Sequence, residues 1–201
     1  MAALKKNEEE KGIKYEVQLT AAAMPSVDTV RDLFAASSKD AKPLQLGSNP
    51  IFGTCIVDLE EKPVKSGGDA ESLLQDALKA SPNAEEAVLL QLVVKQIKRP
   101  SSTTTDVSLS AMQLLFVKER GDYLAALHDK DAKLLPVPLF KDAVGGNSCT
   151  LVVAAVSGGD AVGETNILKN VLRLRKVKNS PSRSGNLTRF VEFTKEQERK
   201  C

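Results

Sequence analysis

Two long apolar segments, Val88–Ile97 and Val107–Val117, are separated by the turn-forming stretch Pro100-Ser101-Ser102-Thr103-Thr104-Thr105. Periodicity alone does not separate strand from helix in runs of this kind. Two long paired strands around that turn are expected, which makes a sheet the centre of the fold. Leu151–Val156, six consecutive apolar residues, has the length of one further strand and predicts burial on both sheet faces. It is also the longest purely apolar run, so no helix of this chain is expected to span a bilayer.

Elements of both kinds surround these runs. Lys14–Thr20 alternates Tyr15, Val17 and Leu19 with Glu16 and Gln18, the pattern of a half-buried strand. Ser26 is expected to cap a helix carrying Val27, Val30, Leu33 and Phe34. Gly47–Gly53 reads as a loop and Ile51–Leu59 as a strand. Gly67-Gly68-Asp69 opens a helix with Asp69 as its N-cap and Leu73, Leu74, Ala77 and Leu78 facing inward. Pro136 and Pro138 permit only a short broken helix within Leu134–Val144. Gly145-Gly146 reads as a tight turn with positive φ rather than a ligand loop. Glu164–Lys178 is the best helix, with Ile167, Leu168, Val171, Leu174 and Val177 in one stripe. Strands mixed with helices around a buried strand predict an α/β fold, a three-layer arrangement with a mixed central sheet flanked by helices. The expected organisation is a disordered charged N-terminus over 1–12, one α/β domain over 13–178 and a basic flexible tail over 179–201.

Composition narrows the chemistry. The chain has 201 residues, enough for one domain that buries about 70% of its unfolded surface. Its 28 Lys and Arg nearly balance 26 Asp and Glu, which excludes a globally basic nucleic-acid coat. Three widely spaced cysteines, Cys55, Cys149 and Cys201, predict a reducing, intracellular setting. With His128 as the single histidine, no zinc ligand set is expected. His128 sits in the charged stretch Leu127-His128-Asp129-Lys130-Asp131 and reads as a solvated or capping residue rather than a catalytic base. None of the twelve glycines is followed by lysine, so the chain has no P-loop. No catalytic residue, cofactor or metal is assigned.

The order of the pieces resembles the C-terminal half of the kinesin motor domain. Gly145-Gly146-Asn147-Ser148-Cys149-Thr150, an apolar run, and Glu164-Thr165 at a helix start are similar to that family's Leu-Gly-Gly-Asn-Ser-x-Thr turn, central strand and Glu-Thr helix. His128, twenty residues before Ser148, falls where the family has His-Ile-Pro-Tyr-Arg. Tyr15–Leu19 with Val30-Arg31-Asp32-Leu33-Phe34 resembles its strand and Arg-Asp-Leu-Leu segment, and Pro63-Val64-Lys65-Ser66 before Leu73-Leu74 also fits. The family's opening strands and P-loop have no counterpart, so the resemblance implies a truncated fold. Its first switch, Asn-x-x-Ser-Ser-Arg-Ser-His, falls near Ser81-Pro82-Asn83-Ala84-Glu85-Glu86-Ala87, without the arginine or histidine. Its second, Asp-Leu-Ala-Gly-Ser-Glu, falls near Phe116–Gly121, where its aspartate and glycine are not in place. The long relay helix shrinks to Tyr123–Leu127. The family's microtubule-facing cations become Ala132, Leu135 and Pro138.

Phosphoryl transfer depends on positioning and charge around Mg²⁺, and the residues that do this are degenerate. The resemblance therefore implies a non-catalytic kinesin-like structural or adaptor protein of a large cytoskeletal assembly, with a cilium or flagellum among its settings. An accessory subunit of a ribonucleoprotein and half of a split motor ATPase are the alternatives. Thr165–Cys201 holds ten Lys and Arg against three acidic residues, whereas Thr54–Gln96 holds four against eight. Arg173, Arg175, Lys176 and Lys178, with Phe190 and Phe193 as anchors, are thus the candidate docking residues. Their expected partners are tubulin or a second kinesin-like chain, with nucleic acid less favoured and no membrane.

Overall fold

The computed structural model describes residues 2–36, 40–49, 53–99, 106–155, 158–181, 192, 195–196 and 198–199. Its architecture is α/β, a sheet with flanking helices, and the backbone groups into two compact units.

The first unit (1–25, 29–43 and 58–118) is built on β1 (Ile13–Met24), β7 (Ala87–Lys98) and β8 (Asp106–Phe116). The two apolar runs of the sequence are β7 and β8, paired antiparallel from Val88↔Phe116 to Lys98↔Asp106, and their turn lies outside the described residues. β1 pairs antiparallel with β7 along its whole length. Cross-strand neighbours Ala23↔Val88, Ala21↔Leu90, Leu19↔Leu92 and Val17↔Val94 lie on one face. Against that face packs α2 (Gly67–Ala80), through Ala77, Leu73, Leu74 and Leu78. From Ala21 to Met24 all four residues are buried, so both faces of the sheet are closed there. Farther along, charge replaces burial: Lys95 Nζ meets Glu16 Oε2 at 2.9 Å across the strands. Every described ladder is antiparallel.

Several local expectations need correction. Ser26 caps no helix. The chain turns after Met24 into β2 (Thr29–Asp32), which pairs back on β1 at Ala22↔Asp32 and Ala23↔Arg31. Alternate burial of Val30 and Asp32 satisfies a strand where the sequence showed only four apolar residues to fit a helical stripe. The cap of α2 is Ser66, whose Oγ accepts from Asp69 N at 3.0 Å, while Asp69 Oδ2 accepts from Lys65 N. The charged N-terminus is helical, α1 (Ala2–Lys11), with Leu4 packed on the core and a Lys6–Glu10 pair one turn apart.

The second unit (26–28, 44–57 and 119–201) contains the hairpin β4 (Leu46–Asn49) and β5 (Gly53–Ile56), so Gly47–Gly53 is not wholly loop. It also holds α3 (Gly121–Asp129), a 3₁₀ turn at Val137–Phe140, and α4 (Ala161–Arg175). The two prolines break Leu134–Val144 as expected. Two-residue strands β3 (Lys42–Pro43) and β6 (Lys62–Pro63) are, among the described residues, edges of the first unit's sheet.

The main correction concerns Leu151–Val156. Residues 151–155 form no strand, and Leu151 and Val153 are 86% and 81% exposed. Val156 lies outside the described residues. An apolar run becomes a buried strand only when strands flank it, and no described strand pairs with this one.

Candidate functional site

In the first unit, Ser81, Glu86 and Lys118, from the segments that the resemblance sets at the nucleotide switches, lie together with Arg31. After α2, Ser81 N donates to Leu78 O, and a turn at Asn83 leads into β7 through Glu86. Glu86 Oε2 accepts from Arg31 Nη2 at 2.5 Å and from Ser81 Oγ at 2.7 Å. β2 supplies Arg31, the neighbour of Asp32, whose own carboxylate accepts from Phe34 N and Glu60 N. Lys118 arrives from the end of β8 in the left-handed conformation, φ +50°. Its ammonium donates to Ser81 O at 2.5 Å, Asn83 O at 2.6 Å and Ser81 Oγ at 3.1 Å, which uses all three N–H groups.

The Arg31–Glu86 pair is nearly dry. The side chains of Arg31 and Glu86 are 11% and 10% exposed. Burial pushes the Lys118 pKa down; the Glu86 carboxylate opposes this and the Arg31 cation adds to it. A serine hydroxyl 2.7 Å from a carboxylate has the form of a nucleophile and its base. Ser81 is 1% exposed, however, and its oxygen already accepts from Lys118. No substrate atom can approach it. The arrangement acts as a brace between the end of α2, the start of β7 and the end of β8.

In the second unit, α4 carries the candidate docking residues. Asp160 caps it three residues earlier than the sequence suggested, accepting from Val162 N. Ile167 packs against Gly121, where a Cβ would come within 2.8 Å of Ile167 Cγ1. Leu174 is buried, but Leu168 is 45% exposed, so the inward stripe is narrower than expected. Arg173 is not a free cation: its Nη2 donates to Asp129 Oδ1 at 2.5 Å. His128 sits in the last turn of α3, with Nδ1 2.8 Å from the same oxygen. Hydrogen bonds from Arg173 and His128 hold the Asp129 carboxyl below the usual carboxylate range. Arg175, Lys176 and Lys178 are exposed, as is Lys169. Phe190 and Phe193 lie outside the described residues. Of the positions matched to the family's cations, Ala132 and Pro138 are exposed and Leu135 is 1% exposed.

Sequence reasoning missed Asn179. Its Oδ1 accepts from Gly145 N at 2.7 Å, and its Nδ2 donates to Ala143 O and Ser148 O, both at 2.8 Å. Gly145 has φ +82°, and a Cβ on Gly146 would approach Asp142 Cα to 2.5 Å. The tight turn is therefore real, and the chain beyond α4 is fastened to it. Nothing in the sequence around Asn179 signalled this, since its partners Ala143, Gly145, Ser148 and Thr150 lie 29 to 36 residues upstream.

No family model matches the chain. It is 26% identical over 198 residues to the chromosome-associated kinesin KIF4 of Mus musculus, and 24% over 197 residues to that of Gallus gallus. The chain is distantly similar to kinesins. Each alignment covers 77% of this chain but 16% of the relative, so the chain spans about a sixth of the length of the curated relatives it matches. The α/β architecture is compatible with a truncated kinesin-like fold. Among the described residues no helix is long and apolar enough to cross a membrane, and no three His, Cys, Asp or Glu side chains cluster to hold a metal ion.

Proposed function

We propose that this chain is a non-catalytic, kinesin-like structural or adaptor component of a large assembly of the microtubule cytoskeleton, the axoneme being one such setting. The observation that carries the reading is the brace of Arg31, Ser81, Glu86 and Lys118. A nucleotide switch needs segments whose order depends on contacts with the γ-phosphate and Mg²⁺. Here the corresponding segments are fastened to each other by charge-assisted hydrogen bonds internal to the protein. A ligand shifts such segments only by contacts that differ between two states, and the internal bonds of the brace occupy the groups that would make them.

The docking role falls to the exposed cations Lys169, Arg175, Lys176 and Lys178 at and beyond the end of α4. They suit an acidic protein surface such as that of tubulin, or an acidic face of a second kinesin-like chain. Arg173, already paired with Asp129, has a positioning role between α3 and α4 rather than a docking one. Co-sedimentation with microtubules tests this. Arg175→Glu with Lys176→Glu should weaken association and flatten its salt dependence, since exposed cations act mainly by steering. Both side chains are exposed, so folding should survive. Binding unchanged by this double reversal would remove the docking role from α4.

A further inference from the structure

We propose that β8 is a self-pairing edge, through which two copies of this chain join their sheets antiparallel. The sheet runs β3-β2-β1-β7-β8, with β6 also on β1. Its edges are treated very differently. β3 is Lys42–Pro43 and β6 is Lys62–Pro63, two residues each, and each combines a lysine with a proline. Short length, lysine and proline are the devices that stop an edge from recruiting another strand. β8 has none of them. It is eleven residues long, and from Val107 to Phe116 it holds no charged residue and no proline. Among the described residues its only ladder partner is β7. Val107, Met112 and Leu114 are 52%, 49% and 36% exposed.

The pattern of β8 also specifies its occupant. Antiparallel pairing with a second copy, centred on Met112, sets Met112 against itself and Leu109 against Leu115 of the second copy. On the Met112 face, Leu114 and Phe116 continue the apolar strip diagonally. The uncharged run contributes no like-charge pair in this register. Nine residues per strand give about eight to ten backbone hydrogen bonds, as many as a typical protein interface holds. This inference is independent of the microtubule reading: it uses the topology and the edge composition alone.

The test is the mass of the full chain by analytical ultracentrifugation, together with the variants Met112→Lys and Met112→Glu. Met112 lies half-exposed on an edge strand, so neither change should unfold the sheet, and circular dichroism verifies that. The native chain should sediment as a concentration-dependent dimer, and each variant alone as a monomer. Mixing the two variants should restore a dimer, since opposite charges then face each other at the two-fold axis. A native chain that stays monomeric at high micromolar concentration overturns the proposal and leaves the edge to a foreign strand. A dimer that persists in either variant alone, or a mixture that fails to reassociate, overturns it equally.

Discussion

Glu86→Ala would open the brace at its centre. The substitution removes the carboxylate that accepts from Arg31 Nη2 at 2.5 Å and from Ser81 Oγ at 2.7 Å. A hydrogen bond to a charged group contributes about 1.5–3 kcal/mol net, and one from a neutral hydroxyl about 1 kcal/mol. The variant also removes the carboxylate that faces both the Arg31 and Lys118 cations, the first of them mostly dry. Breaking a buried pair on one side costs about 3–5 kcal/mol, so the expected destabilisation is about 3–5 kcal/mol. Replacing both partners, Arg31→Met with Glu86→Leu, should cost about 1–2 kcal/mol, because both charges of the buried pair are removed together. Urea unfolding at neutral pH, with unchanged denaturant slope, measures all members of the cycle. A single-variant cost below about 1 kcal/mol, or a double variant as costly as the sum of the singles, would refute the view that this ion pair holds the segments together.

Val153→Asp should be nearly silent, within about 0.5 kcal/mol by thermal or urea unfolding, because Val153 is 81% exposed and unpaired. Gly146→Ala should destabilise the turn by at least about 2 kcal/mol, since the new methyl meets backbone atoms, Asp142 Cα and Lys141 O, at 2.5 Å. Proteolytic cleavage around residues 141–150 would report that loosening. Asp129 should titrate below the ordinary carboxylate value of 3.8 by carboxyl-detected NMR, and Arg173→Ala should move its midpoint back up. With the folded pKa below the unfolded one, its stabilising contribution is complete above the ordinary value and is lost as pH falls through the folded pKa. The stability gap between the native chain and Asp129→Asn should therefore narrow as the pH falls below the ordinary value of 3.8.

The long strands were legible because their patterns extend over many residues. β1 alternates from Tyr15 to Leu19, and β7 and β8 are apolar runs of strand length bounded by turn residues. Helix α2 was legible from Leu73, Leu74, Ala77 and Leu78, although its cap was misplaced by three residues because Ser66 and Asp69 form a reciprocal pair. Short segments were not legible. Val27, Val30, Leu33 and Phe34 fit a helix as well as a strand, and only the pairing of β2 with β1 decides between them. Leu151–Val156 carried the strongest local signal and gave the largest error, because burial depends on neighbours that local sequence does not encode. The brace was half legible: the resemblance marked Ser81–Ala87 and Phe116–Gly121 as related segments. Their junction through Lys118 and Arg31 depends on contacts 35 to 55 residues apart.

Titration of the full chain with Mg²⁺-ATP by calorimetry, in the presence and absence of microtubules and alongside a phosphate-release assay, tests the central claim most directly. A non-catalytic component whose switch segments are braced to each other should give no binding heat and no microtubule-stimulated hydrolysis, and its co-sedimentation should be the same with and without nucleotide. Micromolar nucleotide binding, or phosphate release that rises with microtubule concentration, would contradict it.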